Sequence, residues 1–339
     1  MIFMSVSISV DAMGGDFGPK ITIPASLSFL KDHPDASIIL VGNESIIQKY
    51  LKKSIDSYKN LSILHTTETV LMDESPQSAL KNKKNSSMRL AINVVKDNKA
   101  HAVVSAGNTG ALMATGRFVL KMLPGIDRPA IASFLPNQKG MSCMLDLGAN
   151  TDCTSHHLMQ FSIMGSILSS VILKKKNPKI GLLNIGSEAI KGNEITKETY
   201  ELLKKSHLNF YGNIEGNDIF KGTTDVIVCD GFVGNVSLKT TEGLAKMFAS
   251  FLSQEFKKNM LTQLLALFAL PVLKAFKKRL DPRRYNGAAF LGINGIVVKS
   301  HGSADAYSFE HALITAYEEA KNNVVLKITK QLKIDQSLI

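Results

Sequence analysis

The sequence predicts an α/β protein: a doubly wound, mostly parallel sheet with helices on both faces, in three layers. Three observations carry this. Short β-branched runs alternate with longer stretches of helical character along most of the 339 residues. Loops carrying Gly with Asp, Asn, Ser or His follow those runs. The balance of 45% hydrophobic to 20% charged residues is that of a folded chain long enough to bury a large core.

The elements follow in order. Residues 6–10 (VSISV) form the first strand and run into DAMGGD. Residues 38–41 end in Gly42-Asn43, and residues 102–104 run into SAGNTGALMATG. Residues 180–185 lead to GSEAIKGNE, 225–229 to DGFVGN, and 296–299 to SHGSADA. The apolar stretch 158–173 reads as a buried helix or a subunit interface, with His156-His157 in a capping or surface role at its start. In an open parallel sheet, ligands bind beyond the carboxyl ends of the strands. Glycine there allows close backbone approach, and the next helix offers unpaired N–H groups and the positive end of its dipole. These loops together predict one anion-binding crevice. The alternation reads as a single α/β domain over 1–339, interrupted by a helical insertion over 244–284.

Composition narrows the function. The 40 Lys+Arg against 29 Asp+Glu give a net charge of +11, which favours acidic partners or anionic surfaces. Nucleic acid is not expected: no recognition motif occurs, and Trp is absent. The three cysteines, Cys143, Cys153 and Cys229, form no C-x-x-C pair, so a reducing cytosol is expected. The first positive charge is Lys20, unlike the basic start of a signal peptide. No apolar run reaches the roughly 18–20 residues of a spanning helix. There is no G-x-x-x-x-G-K-[ST], no G-x-G-x-x-G after the first strand, no H-E-x-x-H and no G-x-S-x-G. P-loop, dinucleotide, zinc-protease and serine-elbow chemistry therefore lose support.

Several segments together resemble the phosphate acyltransferase family of bacterial phospholipid synthesis. They are DAMGGDFGP (11–19), KKNSSM (83–88), SAGNTGALMA (105–114), DRPA (127–130), LDLGAN (145–150), GLLNIGSEAIKGNE (181–194), CDGFVGNVSLKTTEG (229–243) and HGSADA (301–306). The resemblance implies a fold similar to isopropylmalate dehydrogenases and phosphotransacetylases. It also implies transfer of an acyl group from acyl carrier protein to inorganic phosphate, a homodimer and no organic cofactor. The acyl phosphate then supplies a glycerol-3-phosphate acyltransferase, so a cytoplasmic enzyme loosely attached to the inner face of the membrane is expected. One departure occurs: Tyr285-Asn286-Gly287-Ala288-Ala289-Phe290 stands where the family usually has a Gly-Gly-Ala-Pro-like stretch. Asn tolerates the left-handed region, so the turn is expected to survive there.

Phosphate is itself an oxygen nucleophile, so such an enzyme needs positioning and electrostatic stabilisation rather than an activated serine. Lys191, in a turn marked by Gly192 and Asn193, is the candidate phosphate-binding charge; a solvated lysine is the plain alternative. Asn235 offers an oxyanion donor or simply a helix cap. His301 is the candidate proton donor to the leaving thiolate, against a structural role beside Gly302 and Ser303. Asn108, Thr109 and Gly110 read as a phosphate cradle or a tight turn. Asp11 and Asp16, flanking Gly14-Gly15, are expected to orient donors or stabilise the turn, with no metal. Asp230 and Gly234 join the crevice by position. Arg128 either meets an anion or pairs with Asp127.

Residues 246–284 carry nine Lys/Arg against Glu255 and Asp281 alone. Apolar residues at 261, 264, 265 and 268 mark an amphipathic helix, which Pro271 is expected to break or kink. Leu264, Leu265 and Phe268, with Lys274, Lys277 and Lys278, suit a lipid interface, the acidic carrier protein, or a buried contact. Two other readings stay open: a phosphotransacetylase-like enzyme using acyl-coenzyme A, and a non-catalytic scaffold at the membrane surface.

Overall fold

A computed structural model describes residues 5–51 and 55–335, apart from the side chains of 277–280, 282, 334 and 335. The strands are β1 (Val6–Asp11), β2 (Ala36–Gly42), β3 (Leu61–His65), β4 (Ala102–Ser105), β5 (Ala130–Asn137) and β6 (Gly140–Leu145). They continue with β7 (Ile180–Leu183), β8 (Phe210–Ile214), β9 (Val226–Val228), β10 (Ala288–Leu291) and β11 (Ile296–Lys299). The helices are α1 (Pro19–Asp32), α2 (Glu44–Tyr50), α3 (Pro76–Asn82), α4 (Ser87–Lys96), α5 (Thr109–Leu120) and α6 (Ser155–Ile172). After them come α7 (Glu194–Lys205), α8 (Gly231–Lys257), α9 (Met260–Leu280), α10 (Ala306–Lys321) and α11 (Val324–Asp335).

Among the described residues the strands form one sheet in the order β3-β2-β1-β4-β11-β10-β5-β6-β9-β7-β8. All six expected strands are present. The other five carry weak signals: β10 is Ala-Ala-Phe-Leu, β8 contains Gly212 and Asn213, and β6 is rich in Met, Ser and Cys. β10 and β6 fit the sheet because strands on both sides bury them, whatever their own propensity, whereas β3 and β8 are its partly exposed edges.

Period-two alternation divides the core between the two faces. On β4, Ala102 and Val104 point to a cluster with Phe29, Phe309 and Tyr317, while Val103 points to the opposite cluster with Ile92 and Leu112. On β9, Val226 and Val228 face Phe161 and Leu168, while Ile227 joins Ile92 and Leu112 on the other side. Helices therefore cover both faces, which gives the expected three layers. The stretch 158–173 falls in α6 and its C-cap Leu173 and is largely buried, and the Nδ1 of His157 accepts from Thr154 N–H at 3.1 Å in a capping box.

Direction changes within the sheet. β1, β2, β3, β4 and β11 are mutually parallel. β10 is antiparallel to both β11 and β5, and β5 is antiparallel to β6. β6, β9, β7 and β8 are again parallel to each other. The second parallel set thus runs opposite to the first along the ladder, and the loops expected in one row form two. Sheet twist of about 20–25° per neighbour turns β9 by roughly 100–125° from β4 and re-aims the second row.

The segment read as an insertion differs from expectation in two respects. Pro271 lies within a continuous α9, and the chain breaks earlier, at Lys258-Asn259, where the Asn259 side chain caps α9 through Thr262 N–H at 2.9 Å. No element boundary marks residue 244, because α8 runs on unbroken from Gly231. Helices α8 and α9 pack against each other, yet Leu264, Leu265 and Phe268 are 51%, 54% and 77% exposed, so they do not join the core of this chain. Lys274 is exposed too, and the side chains of Lys277 and Lys278 lie outside the described residues. Among the described residues, no helix is long and apolar enough to cross a membrane.

These burials set an expectation for stability. Phe161→Ala, at a fully buried position on α6, should lower unfolding free energy by about 3–5 kcal/mol in urea titration. Phe268→Ala should change it by no more than about 0.5 kcal/mol.

Candidate active site

The first row of loops follows β1, β4 and β11. Ser105 ends β4 and donates from Oγ to Asp11 Oδ2 at 2.7 Å, while Gly107 N–H donates to the same Ser105 oxygen at 3.0 Å. Asp11 is buried, and its Oδ1 meets no donor. Burial raises its pKa, against the Ser87 and Ser105 hydroxyls and the N–H groups of Met13 and Gly14. Gly14 has no room for a side chain: a Cβ there would lie 2.5 Å from Asp11 Oδ2. Gly15 takes φ +89°, and Asp16 N–H donates to Gly302 O at 2.9 Å, joining DAMGGD to the loop after β11. The Asp11 carboxylate thus holds the turn after β4, whereas Asp16 enters through its backbone N–H.

Asn108 caps α5 by accepting from Ala111 N–H at 2.9 Å, and its amide donates to Met72 O and Glu74 O. Its side chain is therefore fully engaged within the fold. Thr109 and Gly110, in the exposed first turn of α5, are left to present the helix terminus. His301 accepts at Nδ1 from Ser303 N–H at 3.2 Å, with Ser303 Oγ at 2.9 Å. A neutral ring so held carries its proton on Nε2. Burial lowers the His301 pKa, with Glu242, Lys239 and Lys246 of α8 also acting on it. The departure at 285–290 has a structural answer. Asn286 is not left-handed; Gly287 takes that role at φ +114°. Asn286 accepts from His301 N–H at 2.9 Å and donates to Ser300 Oγ and Ser308 O, both at 2.8 Å.

The second row follows β6, β7 and β9, and Asp146 is its centre. The Asp146 carboxylate accepts from the N–H groups of Ile131, Gly148, Ala149 and Asn150 and from the Asn150 amide, at 2.8–3.1 Å. Burial raises its pKa, and these donors oppose the shift. Asp230 caps α8 through Val233 N–H at 2.8 Å, so the cap is Asp230 and not Asn235. Asn235 lies one turn further on, and its amide donates to Leu147 O at 3.2 Å. That bond uses one of its two amide hydrogens. Gly234 lies under the same loop: a Cβ there would come within 1.8 Å of Asp146 O. Lys191 is exposed in the loop after β7, where Gly192 takes φ +93° and Asn193 caps α7 through Thr196 N–H at 2.9 Å.

Arg128 does not pair with Asp127. It donates to Asp152 O at 3.4 Å, while Asp127 accepts from Gln160 at 2.9 Å and lies 3.8 Å from His156 Nε2. Sequence reasoning assigned no role to Asp146, Ser105 or Lys299. Lys299 is 8% exposed, and its ammonium donates to Ala106 O at 3.1 Å and to Ser300 O. The available signal was a charged residue closing an otherwise apolar β-branched run.

Comparison with known proteins now bears on this arrangement. The Fatty acid synthesis protein family matches residues 6–327. A phosphate acyltransferase of Chromobacterium violaceum is 62% identical over 330 residues, covering 97% of this chain and 96% of its own. One from Paraburkholderia xenovorans is 55% identical, covering 97% and 90%. Among solved structures, a phosphotransacetylase from Staphylococcus aureus superposes with TM-score 0.62 at 15% identity, covering 93% of this chain and 94% of its own. A phosphotransacetylase from Streptococcus pyogenes gives the same TM-score at 16% identity, covering 94% of each chain. At that identity, the likeness shows the fold. The protein is an α/β acyltransferase. It belongs to the Fatty acid synthesis protein family.

Gly234→Ala should lower the melting temperature by several degrees and remove most acyltransferase turnover, because the Asp146 loop must move to admit the methyl group. Wild-type melting and turnover would show that the loop has slack the structure lacks.

Proposed function

We propose that this acyltransferase moves a fatty acyl group from the thioester of acyl carrier protein to inorganic phosphate, giving acyl phosphate for phospholipid synthesis. The observation that carries this is the near-full-length 62% identity to a phosphate acyltransferase. A phosphate oxygen attacks the thioester carbonyl, a C–O bond forms, and the tetrahedral oxyanion collapses with loss of the C–S bond. The thiolate takes up a proton and leaves as free carrier protein. Lys191 supplies a mobile charge for phosphate, and the helix N-termini of α5, α7 and α8 supply N–H groups and dipoles. The free amide hydrogen of Asn235 stabilises the oxyanion. His301 protonates the leaving sulfur. The whole chain acts as one catalytic unit, working as a homodimer in the cytoplasm. The projecting hairpin rests on the inner face of the membrane, where a glycerol-3-phosphate acyltransferase consumes the product. Exposed apolar residues on α9 beside Lys274 support that placement.

The first test is phosphate-dependent thiol release from a long-chain acyl carrier protein, with acyl phosphate detected as product. Turnover of acyl-coenzyme A in place of the carrier protein moves the reading toward the phosphotransacetylases that share the fold. Silence with both thioesters supports the scaffold reading. Asn235→Ala should lower kcat by about 10²–10³. Proton transfer from His301 requires the imidazolium, whose fraction falls as pH rises through its lowered pKa. Forward turnover should therefore decline along that limb in wild type, and His301→Gln should lack the limb. An unchanged profile restricts His301 to hydrogen-bond donation. On anionic vesicles, Leu264→Glu should abolish co-flotation; unchanged flotation assigns the hairpin to a protein contact.

A further inference from the structure

We propose that Lys299 is the buried cation of the phosphate site, tying the loops after β4 and β11 together and setting its charge beneath the bound anion. The inference rests on the reading of phosphate as acyl acceptor. It starts from strand register. Lys299 pairs with Ser105 between β11 and β4, and Val10 pairs with Val104 between β1 and β4. Asp11, Ser105 and Lys299 therefore occupy one row at the carboxyl ends of three adjacent parallel strands. With strands about 4.8 Å apart, the two charged residues start from backbone positions roughly 10 Å apart. Ser105 stands between them and bonds to the acid.

A buried ammonium normally needs an anion. Neither Asp11 nor Asp16 lies within ion-pair distance of Lys299; its two bonds go to the Ala106 and Ser300 carbonyls. These carbonyls belong to SAGNTG and SHGSADA, which both meet the DAMGGD loop: a Cβ on Gly15 would lie 2.8 Å from Ala106 Cβ and 3.0 Å from Gly302 O. Carbonyl oxygens facing the crevice would repel an anion. The ammonium holds two of them down and leaves its third hydrogen uncommitted. Lys191, the cation expected from sequence, is exposed and tethered to neither loop.

Titration offers a readout that a purely structural role would not move. Burial lowers the Lys299 pKa to about 8, against the opposing pull of Asp11 and Asp16. His301 also feels this charge. Since the protonated form is the one that attracts phosphate, affinity should fall as pH rises through that value.

The experiment measures the rise in melting temperature caused by inorganic phosphate across this pH range, with KM for phosphate measured in parallel. Sulfate, whose charge stays constant, serves as the control anion. Wild-type protection by both anions should fade above pH about 8. Lys299→Arg should keep protection into the alkaline range, because guanidinium stays charged. Lys299→Met should raise KM for phosphate at least about tenfold, with a smaller change in kcat at saturation. A folded Lys299→Met with wild-type KM and protection overturns the proposal. So does an arginine variant with the wild-type pH limb, which keeps the test decisive where the methionine variant fails to fold. Wild-type protein that binds phosphate but releases no thiol overturns the reaction reading, and leaves the assignment of Lys299 to be judged by protection alone.

Discussion

The seam formed by β10, β5 and β6 is the constraint on which the rest of the molecule depends. Three antiparallel contacts there separate two parallel half-sheets and reverse the direction of the second. A uniformly parallel sheet would place every glycine loop along one edge. Here the reversal divides them, and the twist of the ladder turns the second set through a large angle relative to the first. The seam is well buried, with Ala130, Ala132, Phe290 and Leu291 at its centre. Small residues such as Ala130, Ala132 and Ala289 let the helices on each side come close to the strands.

Both loop rows are organised by carboxylates that point inward. Asp146 gathers four donors from its own turn and a fifth from Ile131 on β5, and Asp11 holds Ser105, which in turn takes Gly107 N–H. Outward-facing N–H groups at helix starts are then free for a ligand, because other atoms complete the turns beneath them. A reaction whose nucleophile is the substrate itself makes small demands on reactive side chains and large ones on preorganised dipoles. All three cysteines are buried, and burial raises their thiol pKa values, that of Cys153 to about 11. None of them is poised as a nucleophile.

Much of this was legible in the sequence. Six strands and the loops after them follow from β-branched runs closed by glycine, and Asn193 was legible as a turn into a helix; the caps at Asn108 and Asp230 were not assigned, and the cap considered at Asn235 falls on Asp230 instead. The reversal was not legible, because β10 and β6 are short and poor in β-branched residues, and strand direction leaves no trace in composition. Pro271 misled for a physical reason: proline removes a single intrahelical N–H, and the exposed helix α9 accommodates that loss without a break. Lys299 escaped notice because a terminal lysine on a strand ordinarily faces solvent. Only register with Ser105 reveals where it sits.

Helix α8 has a mechanical side. Its 27 residues make a rod about 40 Å long. One end is wedged under Asn150 and Asp146, where a Cβ on Gly231 or Gly234 would collide. The other end stands out with α9, clear of the core. A rod clamped so tightly cannot tilt at its free end without lifting the clamp, unless it yields along its length. Gly243 is where it is softest, mid-helix with nothing within 4 Å of its absent side chain. Stiffening that one residue would turn a compliant strut into a lever whose short arm is the Asp146 loop.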